Sequence, residues 1–145
     1  MTSRTIQRVS SSARSVFALC LLCMSQMTFA TECERASGGE SLTSVHCGSA
    51  PSATFDDNGR LWVTFVQDQH VYVSHSDDRG VTYSTPVKVN TVAEDAEYNG
   101  ENRPKIVTRD GQTLFLSWTV KTSPRFTGEI RFSRSVDGGR SFEAP

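Results

Sequence analysis

The chain has 145 residues, of which 15 are basic and 16 acidic, so its formal net charge is −1. This balance argues against nucleic acid or an anionic membrane surface as a partner, because both favour an excess of positive charge. When the basic N-terminal 30 residues are set aside, 12 basic residues face 16 acidic ones, and the same partners stay excluded.

Residues 1–30 have the composition of a secretory signal peptide. Three arginines and no acidic residue accompany an apolar stretch at 16–24. Thr28 and Ala30 put small residues at both positions that a signal peptidase reads, so we predict cleavage after Ala30. The apolar stretch is short for a transmembrane helix, and an uncleaved anchor is the alternative. The sequence therefore predicts an exported protein, periplasmic or secreted, with no membrane contact after cleavage.

Residues 31–48 form a polar leader without an apolar period. Cys20 and Cys23 belong to the signal peptide, which leaves Cys33 and Cys47 in the exported part. In an oxidising compartment we expect these two thiols to form a disulfide. A loop of this size would gain roughly 3 kcal/mol from the bridge, so we predict a structural role rather than a catalytic thiol.

After residue 48, short apolar stretches alternate with turn signals, and no helical period occurs. Turn pairs such as Asn58-Gly59 and Asp110-Gly111 separate the stretches. We predict strands at 50–55, 61–66, 70–74, 83–89, 105–108, 114–118 and around 130–132. The sequence therefore predicts an all-β fold.

Four acidic residues lie together between the fourth and fifth predicted strands: Glu94, Asp95, Glu97 and Glu101. Carboxylates in a loop can hold calcium, but this spacing matches no calcium loop known to us. We therefore interpret the segment as a solvated acidic loop, and we predict no metal and no cofactor.

One eight-residue pattern occurs twice, at 76–83 and 135–142, so the second copy begins 59 residues after the first. Both copies read S-x-D-x-G-x-[ST]-aromatic, and we call them the aspartate turns. The aspartate can accept backbone N–H bonds, the glycine supplies a positive φ, and the aromatic anchors the next strand. The motif residues are Ser76, Asp78, Gly80, Thr82 and Tyr83, then Ser135, Asp137, Gly139, Ser141 and Phe142.

Four short strands per unit, repeated at this spacing, are typical of β-propeller blades. Blade one spans about 49–90 and blade two about 103–145. Propellers close with about 4 to 8 blades, so we expect this sequence to be an N-terminal fragment of a longer propeller. An oligomeric assembly of two-blade units is the alternative.

The aspartate turns resemble the Asp box of the sialidase (neuraminidase) superfamily, also called the BNR repeat, and the resemblance covers about residues 50–145. In that family the fold is a six-bladed propeller, with Asp boxes between the third and fourth strands and away from the catalytic face. The resemblance implies a sialidase-like β-propeller with about two of six blades present. It also implies that the motif residues of both turns are structural.

The same resemblance singles out three candidate substrate-binding residues. In sialidases an arginine of an R-I-P motif holds the substrate carboxylate, and Arg103-Pro104 occupies the comparable place without the isoleucine. A planar bidentate donor suits a carboxylate. Arg125 is a second anion contact or a charge in a solvated loop, and Glu129 is a binding residue rather than the general acid. The predicted loop at 121–128 has no carboxylate where the family has its acid/base aspartate.

The resemblance implies an exported glycosidase, an exo-sialidase in complete form, that acts on sialylated or other glycans. The nucleophilic tyrosine and its glutamate partner would lie in later blades, so no residue here is assigned as catalytic, and we expect no turnover by these 145 residues. A non-catalytic Asp-box propeller that binds glycans or proteins outside the cytoplasm is the alternative.

Overall fold

The computed structural model describes residues 33, 43–123 and 127–145. The signal peptide, the cleavage site after Ala30 and Arg125 lie outside these residues. The all-β class is confirmed: the strands form two antiparallel sheets, and no helix of the described residues is long and apolar enough to cross a bilayer. The strands are β1 (Ser49–Phe55), β2 (Leu61–Gln67), β3 (His70–Ser76), β4 (Val87–Lys88), β5 (Lys105–Arg109), β6 (Thr113–Ser123) and β7 (Thr127–Ser135).

The first sheet has the order β1-β2-β3-β4 and the second the order β5-β6-β7. A three-residue 3-10 turn, Gly100–Asn102, precedes β5. Because neighbouring strands are antiparallel, both aspartate turns lie at the same end of their sheets as the β1–β2 and β5–β6 connections. The β2–β3 turn, the connector from β4 to β5 and the β6–β7 connection lie at the opposite end, which we call the far end.

The fourth strand is shorter than predicted. We expected a strand over 83–89, but only Val87 and Lys88 pair with β3, opposite Val73 and Tyr72. The residues before Val87 belong to the end of the aspartate turn, where the Ser84 amide donates to the His75 carbonyl at 2.8 Å. Pro86 has no N–H, so it cannot donate a hydrogen bond to β3 and the strand begins only after it.

The predicted loop at 121–128 is wrong, because β6 and β7 extend into it. Lys121 pairs with Gly128, and Ser123 pairs with Thr127. The corresponding connection in the first sheet is a two-residue turn, Asp68 and Gln69, between the paired residues Gln67 and His70. The second sheet therefore carries a hairpin that is six residues longer at its far end.

The two sheets share one core. Trp62, Val66, Val71 and Val73 of the first sheet cluster with Leu114, Leu116, Trp118 and Val120 of β6. The Trp62 ring lies on the second aspartate turn, where a Cβ on Gly139 would come within 2.8 Å of it. The alternate burial along β6 shows that the inner face of the second sheet is buried and its outer face is more open.

The last residues of the leader, 43–48, pack on the outward face of the first sheet. Gly48 lies so close to the Phe65 ring that a Cβ would be 2.1 Å from Cδ2. Phe65 has no exposed surface, and its ring stacks on Tyr72 at 5.6 Å. The structure contains a disulfide between Cys33 and Cys47, one residue before this contact. The disulfide therefore ties Cys33 to the chain beside the point where Gly48 contacts the first sheet.

Candidate functional site

The first aspartate turn is held by the Asp78 carboxylate. Its Oδ1 accepts the amides of Val81 at 3.0 Å and Thr82 at 2.8 Å, and its Oδ2 accepts the Thr82 hydroxyl at 2.6 Å. The Ser76 hydroxyl donates to Oδ1 at 2.7 Å and accepts the Gly80 amide at 2.7 Å. One carboxylate and one hydroxyl therefore accept the amides of Gly80, Val81 and Thr82 and the hydroxyl of Thr82.

The second aspartate turn repeats this network atom for atom. Asp137 Oδ1 accepts the amides of Arg140 and Ser141, both at 3.0 Å, and Oδ2 accepts the Ser141 hydroxyl at 2.6 Å. The Ser135 hydroxyl donates to Oδ1 at 2.7 Å and accepts the Gly139 amide at 2.9 Å. The two copies form the same hydrogen bonds although the residues around the motif differ. The motif itself therefore specifies the turn.

These hydrogen bonds favour the ionised form of both aspartates. The Thr82 hydroxyl bond is the main cause that lowers the pKa of Asp78 to about 2. The bond from the Ser141 hydroxyl, with that from Ser135, likewise lowers the pKa of Asp137. A carboxylate held as an anion by its own turn is a poor proton donor near neutral pH, so these aspartates have a structural role.

The repeat also extends beyond the motif. The Ser74 hydroxyl donates to the Ser84 carbonyl at 2.7 Å, and the Ser133 hydroxyl donates to the Glu143 carbonyl at 2.6 Å. The Glu143 amide donates to the Arg134 carbonyl at 2.8 Å, as Ser84 does to His75. The chain after each aspartate turn is therefore fixed to the outer edge of its sheet in the same way.

Two of the three predicted substrate-binding residues, Arg103 and Glu129, lie at the far end, opposite the aspartate turns. Arg103 is exposed just after the 3-10 turn, with an extended backbone (φ −55°, ψ 152°) that leads into buried Pro104. Glu129 is exposed on β7, opposite Val120 of β6. Arg125 lies outside the described residues. Within the described part of the chain, Arg103 forms no ion pair with Glu129 or any other side chain.

Sequence reasoning missed the charged network at this end. Arg131 on β7 contacts Glu94 of the connector at 2.9 Å and Glu129 of its own strand at 2.6 Å. The hydrogen bond to Glu94 is the largest of the effects that raise the pKa of Arg131, followed by the hydrogen bond to Glu129. Because Glu129 and Arg131 are two residues apart on one strand, their shared face was a signal that the sequence offered.

The prediction of a solvated acidic loop is wrong for part of the connector between β4 and β5. Glu97 is only 8% exposed and lies 3.5 Å from Lys121 Nζ, and its amide donates to Thr119. Together with the bridge between Ala96 and Val120, this attaches the connector to β6. Among the described residues no cluster of acidic, histidine or cysteine side chains is placed to hold a metal ion.

An open groove of about 270 Å³ lies at the far end beside this network. The β2–β3 turn and the connector line it, with Gln67, Asp68, Glu94, Asp95 and Tyr98 among its walls. Three carboxylates in one groove disfavour an anionic ligand inside it. Arg103 does not line the groove.

Comparison with known proteins does not identify a family for this chain. No family model matches the chain, and no curated protein or solved structure matches it significantly. The fold and the site define the class directly: an all-β protein of two antiparallel sheets with two identical aspartate turns at one end and a charged far end.

Proposed function

We propose that this chain contributes two blades to an exported, sialidase-like β-propeller that acts on sialylated glycans. The observation that carries the proposal is the atom-for-atom repeat of the two aspartate turns. A turn that recurs in this form at the same strand connection is a feature of a repeat architecture, in which each sheet is one blade. The far end would then be the ligand-binding face.

Arg103 is the residue that suits this role best. Its guanidinium is exposed, and a planar fork of N–H donors matches the carboxylate of a terminal sialic acid. Buried Pro104 fixes the backbone next to it. In the proposed propeller, hydrolysis requires a proton donor and a nucleophile that we do not assign to this chain, so we expect it to bind the sugar without cleaving it.

The disulfide supports the exported location, since such bridges persist in oxidising compartments. A non-catalytic propeller that binds glycans or proteins is the second candidate, and the absence of a carboxylate from residues 121–128 favours it. A sialidase of the family that the aspartate turns resemble would have its acid/base aspartate there.

Saturation-transfer NMR with a methyl α-sialoside tests the proposal. We expect transfer to the sugar with the wild-type chain, and a loss with Arg103→Ala that Arg103→Lys restores only in part, because lysine lacks the bidentate fork. The matched control is Arg140→Ala, which removes an exposed arginine at the aspartate-turn end and should leave transfer unchanged. Equal transfer with all variants, or none with wild type, would count against sialic acid recognition.

A fluorogenic sialoside separates the two candidates. The 145-residue chain should release no product above the buffer rate. Product release that Arg103→Ala abolishes would show that this chain is itself a hydrolase, contrary to our expectation. Binding of sialoside without release supports recognition alone.

A further inference from the structure

An ion pair that the turn motif does not require lies beside the first aspartate turn. Arg60, the residue before β2, donates to Asp77 through Nε at 2.6 Å and through Nη2 at 3.2 Å. This bidentate pair joins the β1–β2 connection to the turn. The position of Asp77 corresponds to Val136 in the second copy, which forms the same turn. The pair with Arg60 is therefore not a requirement of the turn.

His75 is a second partner within reach of the Asp77 carboxylate. Its Nε2 lies 3.9 Å from Asp77 Oδ2, which is too long for a hydrogen bond, and neither ring nitrogen forms a hydrogen bond within the described part of the chain. The imidazole packs against the Trp62 ring, with the centroids 5.1 Å apart. One carboxylate therefore lies between a bonded guanidinium and an imidazole that becomes a cation when it gains a proton.

The Trp62 ring connects this cluster to the second sheet. The Arg60 guanidinium lies 5.6 Å from the ring centroid, and Asp56, the residue after β1, accepts the Nε1–H at 3.2 Å. Gly139 of the second aspartate turn packs so closely on the ring that a Cβ would lie 2.8 Å from it. A change at Arg60 therefore acts where the two sheets meet.

We propose that His75, Asp77 and Arg60 form a proton-operated switch at the contact between the two sheets. While His75 is neutral, Asp77 belongs to Arg60, and the guanidinium is held beside the Trp62 ring. A proton on His75 places a second cation 3.9 Å from the same carboxylate. Rotation of the exposed Asp77 side chain then pairs it with His75, breaks the bidentate bond and frees Arg60. The inference does not depend on the proposed sialidase-like function.

The surrounding charges are consistent with this exchange. Among the described residues, the charges that act on His75 are those of Arg60 and Asp77, while Asp78 and Tyr83 line the same cavity of about 330 Å³. Asp78 already accepts the amides and hydroxyls of its own turn, so it is not a competing partner. The hydrogen bonds from Arg60 are the main cause that lowers the pKa of Asp77, so this carboxylate is ionised wherever a histidine titrates.

The switch operates on the acid side of neutrality. Burial is the main cause that lowers the pKa of His75, the Arg60 charge lowers it further, and Asp77 opposes both. Because the fold disfavours the proton, stability is lost as the pH falls from about 6.5, the ordinary histidine value, towards the lowered pKa of His75. Asp78 is still ionised in this range, since its pKa is about 2. Mild acid therefore opens the Arg60 contact while the first aspartate turn keeps its own bonds.

NMR of the histidine ring and the arginine Nε–H in the whole chain tests the exchange directly. As the pH falls, the His75 ring and the Arg60 Nε–H should shift with one midpoint, because one proton changes the partner of both. In Asp77→Asn the shared carboxylate is gone, so His75 should titrate without a response from Arg60. An Arg60 resonance that stays constant through the wild-type His75 titration, or responds equally in Asp77→Asn, overturns the proposal.

Arg60→Gln tests the competition for Asp77. It removes the bonded cation, so Asp77 is free to pair with His75 and the His75 midpoint should rise. The matched control is Arg79→Gln, which removes an exposed arginine from the same turn and should leave the midpoint unchanged. Equal shifts in the two variants would show that net charge alone sets the titration, and no shift in Arg60→Gln would show that Arg60 does not compete. Either result refutes the switch.

The effect on the contact between the sheets is measured by urea unfolding between about pH 7 and about pH 5. The wild-type midpoint should fall over this range, and that of His75→Gln, which cannot gain the proton, should fall less. His46→Gln is the matched control, because His46 lies outside this cluster, and its midpoint should fall as in wild type. The same pH dependence in wild type and His75→Gln would show that the proton on His75 does not reach the contact, contrary to the proposal.

Discussion

At the scale of single residues, the ionised carboxylates of Asp78 and Asp137 hold their turns together by hydrogen bonds. Each accepts two backbone amides and two hydroxyls through a side chain that reaches the surface. Neutralising such a carboxylate removes its strongest acceptor oxygen while the amides remain in place. The turns should therefore depend on pH.

We predict that the protein loses stability as the pH falls from about 4 towards about 2. The pKa of Asp78 is lowered to about 2 in the folded protein, against about 3.9 in an unfolded chain. A lowered pKa contributes stability that is fully present above the unfolded value and is lost as the pH falls through the folded one. Urea unfolding across this pH range measures the effect.

The double variant Asp78→Asn with Asp137→Asn isolates that contribution. It should be less stable than wild type at pH 7, and its free energy of unfolding should depend less on pH between about 4 and about 2. Asp57→Asn, which changes an exposed aspartate in the turn after β1, is the control and should retain the wild-type slope. Parallel slopes for the double variant and wild type would contradict the assignment.

A second prediction at this scale concerns Gly139, which combines a positive φ with a close neighbour. Its φ is +76°, and a Cβ would lie 2.8 Å from Trp62 Cζ3. Gly59 has a similar φ of +82° with nothing within 4 Å, so it carries the backbone effect alone. Gly59→Ala should cost about 1 kcal/mol, and Gly139→Ala should cost about 1–3 kcal/mol more from overpacking.

Thermal or urea unfolding of the two alanine variants measures this difference directly. Equal losses would show that the first sheet moves away from the aspartate turn at little cost. A larger loss for Gly139→Ala would show that the turn and the Trp62 ring are packed as one rigid contact.

At the scale of elements, the sequence predicts strand existence better than strand length. Alternation of apolar residues located six strands to within five residues at each end, and the turn motif located both aspartate turns. The fourth strand was overestimated, because hydrogen bonds of Ser84 to Ser74 and His75 compete with the ladder. The polar stretch 121–128 looked like a loop because both of its strands project beyond the core, where no apolar pattern is required.

The candidate site was less predictable than the fold. A sequence motif marks Arg103, but the pairing of Arg131 with Glu94 joins residues that are 37 apart in the chain. Such a contact depends on how the connector returns to β6, which no local pattern encodes. The alternation of Glu129 and Arg131 was the one local sign of it.

The longer β6–β7 hairpin gives the prediction at this scale. Deleting residues 122–127 would leave Lys121 and Gly128 as a two-residue turn, like Asp68 and Gln69 in the first sheet, where both residues have positive φ. The core pairs from Leu114 to Val120 remain, so we expect the free energy of unfolding to change by less than about 2 kcal/mol.

Lysine is a poor residue at positive φ, so a further Lys121→Asn change, which creates an Asn-Gly turn, should stabilise the shortened protein once Glu97→Gln has removed the carboxylate that lies 3.5 Å from Lys121. Chemical denaturation of both shortened proteins tests this. Loss of folding in both shortened proteins would mean that the six deleted residues are required for the stability of the second sheet.

At the scale of the whole molecule, the two sheets share one core but differ in how much of their outer faces is exposed. Gly48 packs on Phe65 at the outward face of the first sheet, whereas the second sheet leaves Val107, Ile130 and Phe132 exposed. Since the apolar cluster draws on both sheets, neither can leave the other without exposing its inner face. The described sheets should therefore unfold as a unit.

The two tryptophans allow this last prediction to be tested sheet by sheet. Trp62 lies in β2 and Trp118 in β6, and both are almost fully buried. In Trp62→Phe the remaining tryptophan reports on the second sheet, and in Trp118→Phe it reports on the first. Within each variant, fluorescence and far-UV circular dichroism should give the same urea midpoint, as expected for a two-state transition.

The two variants Trp62→Phe and Trp118→Phe should also differ in stability, because the two indole N–H groups differ in their hydrogen bonding. Trp62 Nε1 donates to Asp56 Oδ2 at 3.2 Å, whereas Trp118 Nε1 has no hydrogen-bond partner among the described residues. Trp62→Phe therefore loses a bond worth about 1 kcal/mol, and Trp118→Phe removes an unsatisfied donor at little polar cost. A fluorescence midpoint that departs from the circular dichroism midpoint in either variant would show that the sheets unfold separately, and the shared core would then be a weaker link than its burial indicates.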